Sequence, residues 1–240
     1  MYFRPLPRLT LFFVPMFLFL VGLGVWQLER LQWKLGLIAE MNAHLHAAPI
    51  SVDEIFKLAP NDAQYRRVAL DGHFENDREA YVFTATDNGL TAYHVVTPFV
   101  LEDGRTLFVD RGIVPPELRD PQKRRAGLLT GAQHVIGVWR TPDRPGPFTP
   151  PPDLRNRVWY AHDVWGMAKA LRIEIAAPVI VEADATPNPG GWPRGGQTVV
   201  SLPNDHLQYA LTWFLMAGAL LVIYFAYHRA QGRFGIRRQG

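Results

Sequence analysis

No cysteine occurs anywhere in the 240 residues. Disulfides, thiolate metal sites and cysteine nucleophiles are therefore excluded, and the chain suits exposure to an oxidising periplasm. The five methionines (Met1, Met16, Met41, Met167, Met216) are scattered, so a copper-delivery role lacks its soft ligands. There is no H-E-x-x-H, no G-x-S-x-G and no Walker loop, and an enzymatic reading has no motif behind it.

Charge is missing from two long stretches. Leu9–Leu28 is a run of 20 residues and Leu207–Tyr227 a run of 21, without an acid, lysine or arginine in either. Each is long enough to cross a hydrocarbon core of about 30 Å at about 1.5 Å per residue. Pro15 lies in the first run, where neighbouring helices or waters can satisfy the freed carbonyl. That run is long for a signal peptide and has no A-x-A-like site after it, so it reads as a retained anchor.

Acids are also missing from both ends. Arg4 and Arg8 precede the first run, and Arg229, Arg233, Arg237 and Arg238 follow the second. Setting those six aside turns a chain of 25 basic and 22 acidic side chains slightly acidic between the runs. The basic tails are a topology signal before they are a nucleic-acid patch, and no nucleic-acid partner is expected. By the positive-inside rule residues 1–8 and 228–240 are cytoplasmic, 9–28 and 207–227 span, and 29–206 form one periplasmic domain. With no Ser/Arg-rich presequence before the first run, a bacterial inner membrane is the expected location.

What is present between the runs is mostly strand. A helix is expected to continue from Trp26 to His46, with Leu28, Leu31, Leu35, Ile38 and Leu45 near helical spacing, and to end at Pro49. Ser51-Val52-Asp53-Glu54 carries a capping-box pattern. Strands follow at Tyr65–Leu70, Glu79–Ala85, Thr91–Val100 and Thr106–Asp110, with hairpin turns at Asp87-Asn88-Gly89 and Glu102-Asp103-Gly104. Residues 115–131 read as a basic loop, Gln133–Arg140 as a strand, and Thr141–Pro152 as an exposed extended loop. Arg157–Tyr160 is a short strand, Asp163 caps a helix to Leu171, and Pro178–Ala183 is a strand. The expected fold is an α+β membrane protein: two transmembrane helices bracketing a mostly antiparallel β, barrel-like extramembrane domain.

Among eight histidines, His206 stands apart because it opens the second span. Ionisable groups at membrane depth are costly and mark functional sites more often than surface ones do. Tyr209, Ala210, Trp213 and Ala217 follow it at helical spacing, and Trp26 and Gln27 sit at the same outer level of the first span. Tyrosine and tryptophan near span ends also serve as interfacial anchors, and small residues as helix-packing positions. His44 and His46 are two apart and cannot share a metal on a helix. His73 and His94 read as satisfied sheet histidines, and Arg111 with Asp110 as an ion pair near a strand end.

The segment Gly24-Val25-Trp26-Gln27-Leu28-Glu29-Arg30-Leu31-Gln32-Trp33-Lys34, with Leu37-Ile38 after it, is similar to the first-span signature of the surfeit locus protein 1 family, whose members are cytochrome c oxidase assembly factors. The resemblance recurs at Tyr65-Arg66-Arg67-Val68, Gly72-His73-Phe74, Val109-Asp110-Arg111-Gly112 with Val114-Pro115, and at Asn204, His206-Leu207, Tyr209-Ala210 and Thr212-Trp213-Phe214. Ile113 stands where the family usually has tryptophan. The resemblance implies a factor that handles haem A and helps place it in the catalytic subunit of an aa3-type oxidase. The implied partners are that subunit, haem A synthase and membrane lipid. It also implies His206 as axial ligand, with Tyr209, Ala210, Trp213, Trp26 and Gln27 lining the site. A docking scaffold without haem and a two-span ligand sensor are the alternatives.

The orientation is open to test by reporter fusion. Alkaline phosphatase fused at Pro150 is expected to be active and at Gly240 inactive; activity at both positions would overturn the two-span hairpin with both ends in the cytoplasm.

Overall fold

The computed structural model describes residues 2–86, 88–142, 145–198 and 203–235. The elements run β1 (Tyr2–Phe3), α1 (Pro7–His46), β2 (Ile50–Ser51), α2 (Val52–Ile55), α3 (Pro60–Ala63), β3 (Arg67–Phe74), β4 (Ala80–Ala85), β5 (Thr91–Leu101) and β6 (Thr106–Val114). They continue with β7 (Gln133–Arg140), β8 (Val158–Trp159), α4 (Val164–Leu171), β9 (Ile180–Ala183), α5 (His206–Ala230) and β10 (Phe234–Gly235). Asp87, the first residue of the expected second-strand turn, lies outside the described residues, as do Asp143 and Arg144 of the Pro-rich loop and Arg237 and Arg238 of the basic tail. The chain divides into two compact units, Met1–Glu40 with Ser201–Gly240, and Met41–Val200.

In the first unit, α1 and α5 are both long and apolar enough to cross a membrane. Phe12, Leu18, Phe19, Leu215, Val222 and Ile223 are all at least 60% exposed, so the outward faces are made of apolar side chains. Water would penalise such a surface and lipid would not. Pro15 sits inside α1 without ending it. The ends of the two helices farther from the barrel unit in the chain are clasped. β1 pairs with β10, the Leu6 N–H donates to His228 Nε2 (3.1 Å), His228 Nδ1 bonds the Tyr224 carbonyl (2.8 Å), and the Thr10 and Tyr224 hydroxyls are 2.7 Å apart. His228 is wholly buried there, its ring packed against Phe3 and Tyr224.

In the second unit the sheet closes on itself. The order β3-β7-β9-β6-β5 returns to β3 through a β3–β5 pairing, which makes a five-stranded barrel, while β4 and β8 continue from β5 and β2 from β3. Most pairings are antiparallel, with β6–β9, β4–β8 and β2–β3 parallel. Because side chains alternate across a strand, one set fills the barrel: Val68, Leu70, Phe99, Leu107, Val109 and Val181, with Trp139 beside them. The opposite set, Val82, Val96, Phe108 and Ile180, lies under α4, which contributes Val164, Met167 and Ala168. Burying each such side chain contributes about 1.5–3 kcal/mol. Gly72 marks the crossing of β3 from β7 to β5. A Cβ there would stand 2.1 Å from the Val100 carbonyl oxygen.

Local signals in the sequence are met closely. The capping box at Ser51 forms, with the Glu54 N–H on Ser51 Oγ and the Ser51 N–H on Glu54 Oε2. Asp163 caps α4 through the Gly166 N–H (3.0 Å), and Gly104 takes φ +86° in the β5–β6 turn. β6, however, runs four residues past Asp110, so Asp110 and Arg111 lie mid-strand and point to opposite faces. They do not form the expected ion pair. Residues 115–131 contain two short 3-10 helices, Pro116–Leu118 and Pro121–Gly127. Arg124 of that basic stretch is buried.

The buried charges are paired instead across long sequence distances. Glu79 accepts from Arg124 Nη1 at 3.1 Å and Nη2 at 2.5 Å, lies 3.7 Å from Arg111 Nη1, and takes the Tyr81 hydroxyl at 3.1 Å. Arg111 lies over the Phe74 ring at 4.4 Å and also donates to Asn76 and the Gly127 carbonyl. Burial holds the Arg111 guanidinium down at about 10, while burial and the Glu79 charge push the Tyr81 phenol up. Glu79→Ala would leave two buried guanidinium groups without their carboxylate, at a cost of about 3–5 kcal/mol. Thermal unfolding of the purified chain should show that loss as a large fall in Tm, and an unchanged Tm would mean the cluster contributes nothing.

Candidate functional site

Two of the residues singled out in the sequence meet within the first unit. His206 is the first residue of α5, and its Nδ1 lies 2.7 Å from Gln27 Oε1 on α1. An amide oxygen only accepts, so Nδ1 is the donor and the lone pair resides on Nε2. Among the described residues Nε2 has no hydrogen-bond partner. The two helices are thus joined, at the ends opposite the clasp, by a bond that also fixes the tautomer of the ring.

The other expected residues divide into two groups. Ala210 and Ala217 are buried, so their small side chains serve packing of α5. Tyr209 and Trp26 are half exposed, and Trp213 is intermediate. Aromatic surface on α1 and α5 is therefore left uncovered. Close approach of the helices is set at Gly24, where a Cβ would meet the Phe214 ring at 2.5 Å. An apolar groove of about 340 Å³ in the helix pair, lined by Leu9, Phe12, Met16 and Ile223 among others, lies toward the clasped end, away from His206.

A second constellation, in the barrel unit, escaped the sequence reading. Asp110 Oδ2 is 2.8 Å from His94 Nδ1 and 3.2 Å from His162 Nε2, and the two imidazole rings are 5.3 Å apart edge to face. Asp110 Oδ1 accepts from the Gly112 N–H at 2.9 Å. Burial alone would raise the Asp110 carboxyl, but the charge of His94 and the hydrogen bond and charge of His162 outweigh it and hold the group well below the usual carboxylate range. Burial likewise opposes charge on His94, and the Asp110 carboxylate overrides it and raises the imidazole. The sequence did hold a signal for one pair. A turn at Glu102-Asp103-Gly104 sets Val96 opposite Asp110, which puts His94 on the diagonal of the same face. Nothing local points to His162.

Two membrane-spanning helices bracketing a mostly antiparallel barrel domain, joined through a histidine at the ends opposite the clasp, define a two-anchor membrane protein with a large extramembrane domain. The chain belongs to the SURF1 family, whose model matches residues 14–218. It is 36% identical to Surfeit locus protein 1 of Mus musculus over 219 residues, 85% of this chain and 70% of the mouse protein. It is 34% identical to the Homo sapiens protein of the same name over 220 residues, 85% and 72% of the two chains. With a SURF1-like protein of Monosiga brevicollis the identity is 35% over 233 residues, covering 90% and 86%.

The helix contact makes a paired prediction. Gly24→Leu overpacks the Phe214 contact and should destabilise the purified chain by about 1–3 kcal/mol. Gly22→Leu, at a position with nothing within 4 Å of a built Cβ, should leave the melting midpoint where it is. Equal effects from both would place the helix contact elsewhere.

Proposed function

We propose that this protein is an assembly factor for an aa3-type cytochrome c oxidase, which takes up haem A at the periplasmic end of its two spans and assists its insertion into the catalytic subunit. Family membership supports the coarser part, a role in cytochrome c oxidase assembly. The observation that carries the finer part is the His206–Gln27 bond.

A haem iron needs an imidazole nitrogen with a free lone pair, held in one orientation by an acceptor on the opposite ring nitrogen. Gln27 is that acceptor, and Nε2 of His206 is that nitrogen. Carbonyl-type acceptors tune less strongly than carboxylates, which suits a cargo that has to leave again. Tyr209, Trp213 and Trp26 offer flat apolar surface next to the ligand, at the level where a macrocycle entering from lipid arrives. Haem A synthase as the source, the oxidase catalytic subunit as the recipient and membrane lipid as the surroundings complete the proposed partners. The location proposed is the bacterial inner membrane, with the barrel unit in the periplasm, and the role is that of a carrier with no reaction of its own.

Co-expression with haem A synthase tests this directly. His206→Ala is expected to lose most haem A from the purified protein while still inserting in the membrane. Gln27→Leu keeps the ligand and releases its orientation, so affinity should fall about 10–100-fold, the usual cost of losing an outer-shell partner. An unaltered Soret band in His206→Ala would transfer the ligand role to another residue, and full oxidase assembly with that variant would favour a docking scaffold.

A further inference from the structure

We propose that His94, Asp110 and His162 form a second site, in the barrel unit, that binds a divalent metal ion of borderline softness, with zinc as the type case. Two imidazole nitrogens and one carboxylate oxygen lie within 4.8 Å of one another. Two nitrogens and an oxygen with no sulfur suit zinc, cobalt(II) or copper(II) and disfavour copper(I). Around a tetrahedral zinc with bonds of about 2.1 Å, neighbouring donors stand about 3.4 Å apart. The observed separations of 2.8 and 3.2 Å from Asp110 Oδ2 therefore need to open by only a few tenths of an ångström.

Three further observations favour a cation over a closed hydrogen-bond triad. His94 Nδ1 and His162 Nε2 converge on one oxygen, Asp110 Oδ2, at 2.8 and 3.2 Å, and the shorter of the two contacts lacks the alignment of a hydrogen bond. The Gly112 N–H holds Asp110 by Oδ1, which turns Oδ2 toward both rings. Glu182, opposite Asp110 on the neighbouring strand, is bonded to Arg140 through Oε1 and has a buried, unpartnered Oε2. That oxygen adds negative potential on the same side of the sheet.

The site also has a way in. The His162 side chain is 24% exposed and lines a cavity of about 100 Å³ with Trp165, Thr141 and Pro178. Three protein donors with a fourth position reachable from solvent describe an exchangeable site, not a closed structural one. The fixed part is Asp110 on β6 and His94 on β5. His162 is supplied by the loop that ends at the Asp163 cap of α4, so an ion here would tie that helix to the barrel.

The test uses the full chain in detergent, stripped with a chelator and titrated with cobalt(II). One equivalent of cobalt is expected to give the visible d–d band of a four- or five-coordinate ion, displaced by one equivalent of zinc, and zinc should raise the Tm of the stripped protein. His162→Gln, at a partly exposed position that leaves the core intact, should weaken cobalt binding about a hundredfold and abolish the zinc effect on Tm. Asp110→Asn should do the same, and His206→Ala should leave both readouts unchanged, which separates this site from the haem site. Absence of the band, or a band that survives in both His162→Gln and Asp110→Asn, would overturn the proposal and leave the trio a structural hydrogen-bonded cluster.

Discussion

Closure of the barrel through β3 is the constraint on which the rest of the extramembrane unit depends. β3 pairs with β7 from Arg67 onward and then, from Gly72 to Phe74, with β5, so one strand is shared between two neighbours. That sharing needs the two backbones to meet at Gly72 with no Cβ between them. Once closed, the sheet separates an inside filled by Leu70, Phe99 and Val109 from an outside under α4. Every polar placement then follows from parity along β6. Asp110 faces outward to His94 and His162, and Arg111 faces the other way, to Phe74 and Glu79.

The two buried charge groups solve opposite problems with adjacent residues. Arg111, Arg124 and Glu79 sit where water is absent, and their hydrogen bonds to one another and to the Gly127 and Leu118 carbonyls offset a desolvation cost that would otherwise neutralise them. Asp110 and its histidines sit nearer the surface, with some donor capacity left open. The first arrangement is saturated and reads as architecture. The second is unsaturated, and chemistry collects where polar groups are left with capacity to spare.

Much of this was legible in the sequence because it is local. A 20-residue uncharged run, a serine three residues before a glutamate, an aspartate ahead of an apolar helix and a glycine in a tight turn each carry their physical reason within a few residues. His206 and Gln27 were legible for the same reason, each lying at the mouth of its span. What the sequence concealed is non-local. Glu79 meets Arg124 across 45 residues and Asp110 meets His162 across 52. β9 enters between β6 and β7 from far along the chain. Arg124 looked like part of a solvated basic loop because nothing in its neighbourhood announces a carboxylate waiting in the core. The expected Asp110–Arg111 pair failed on strand parity, which a four-residue underestimate of β6 had hidden.

The clasp at the other end of the spans has a temporal meaning. Leu6, Thr10 and β1 precede the barrel unit in the chain, while Tyr224, His228 and β10 follow it. During synthesis α1 is therefore made without its partner, which follows only after the whole barrel unit has been translated. Only the arrival of α5 brings His206 to Gln27 and His228 to Leu6. The His206–Gln27 bond and the clasp thus form only once the segment after the barrel unit has been made, so a copy that stops short of α5 lacks both together.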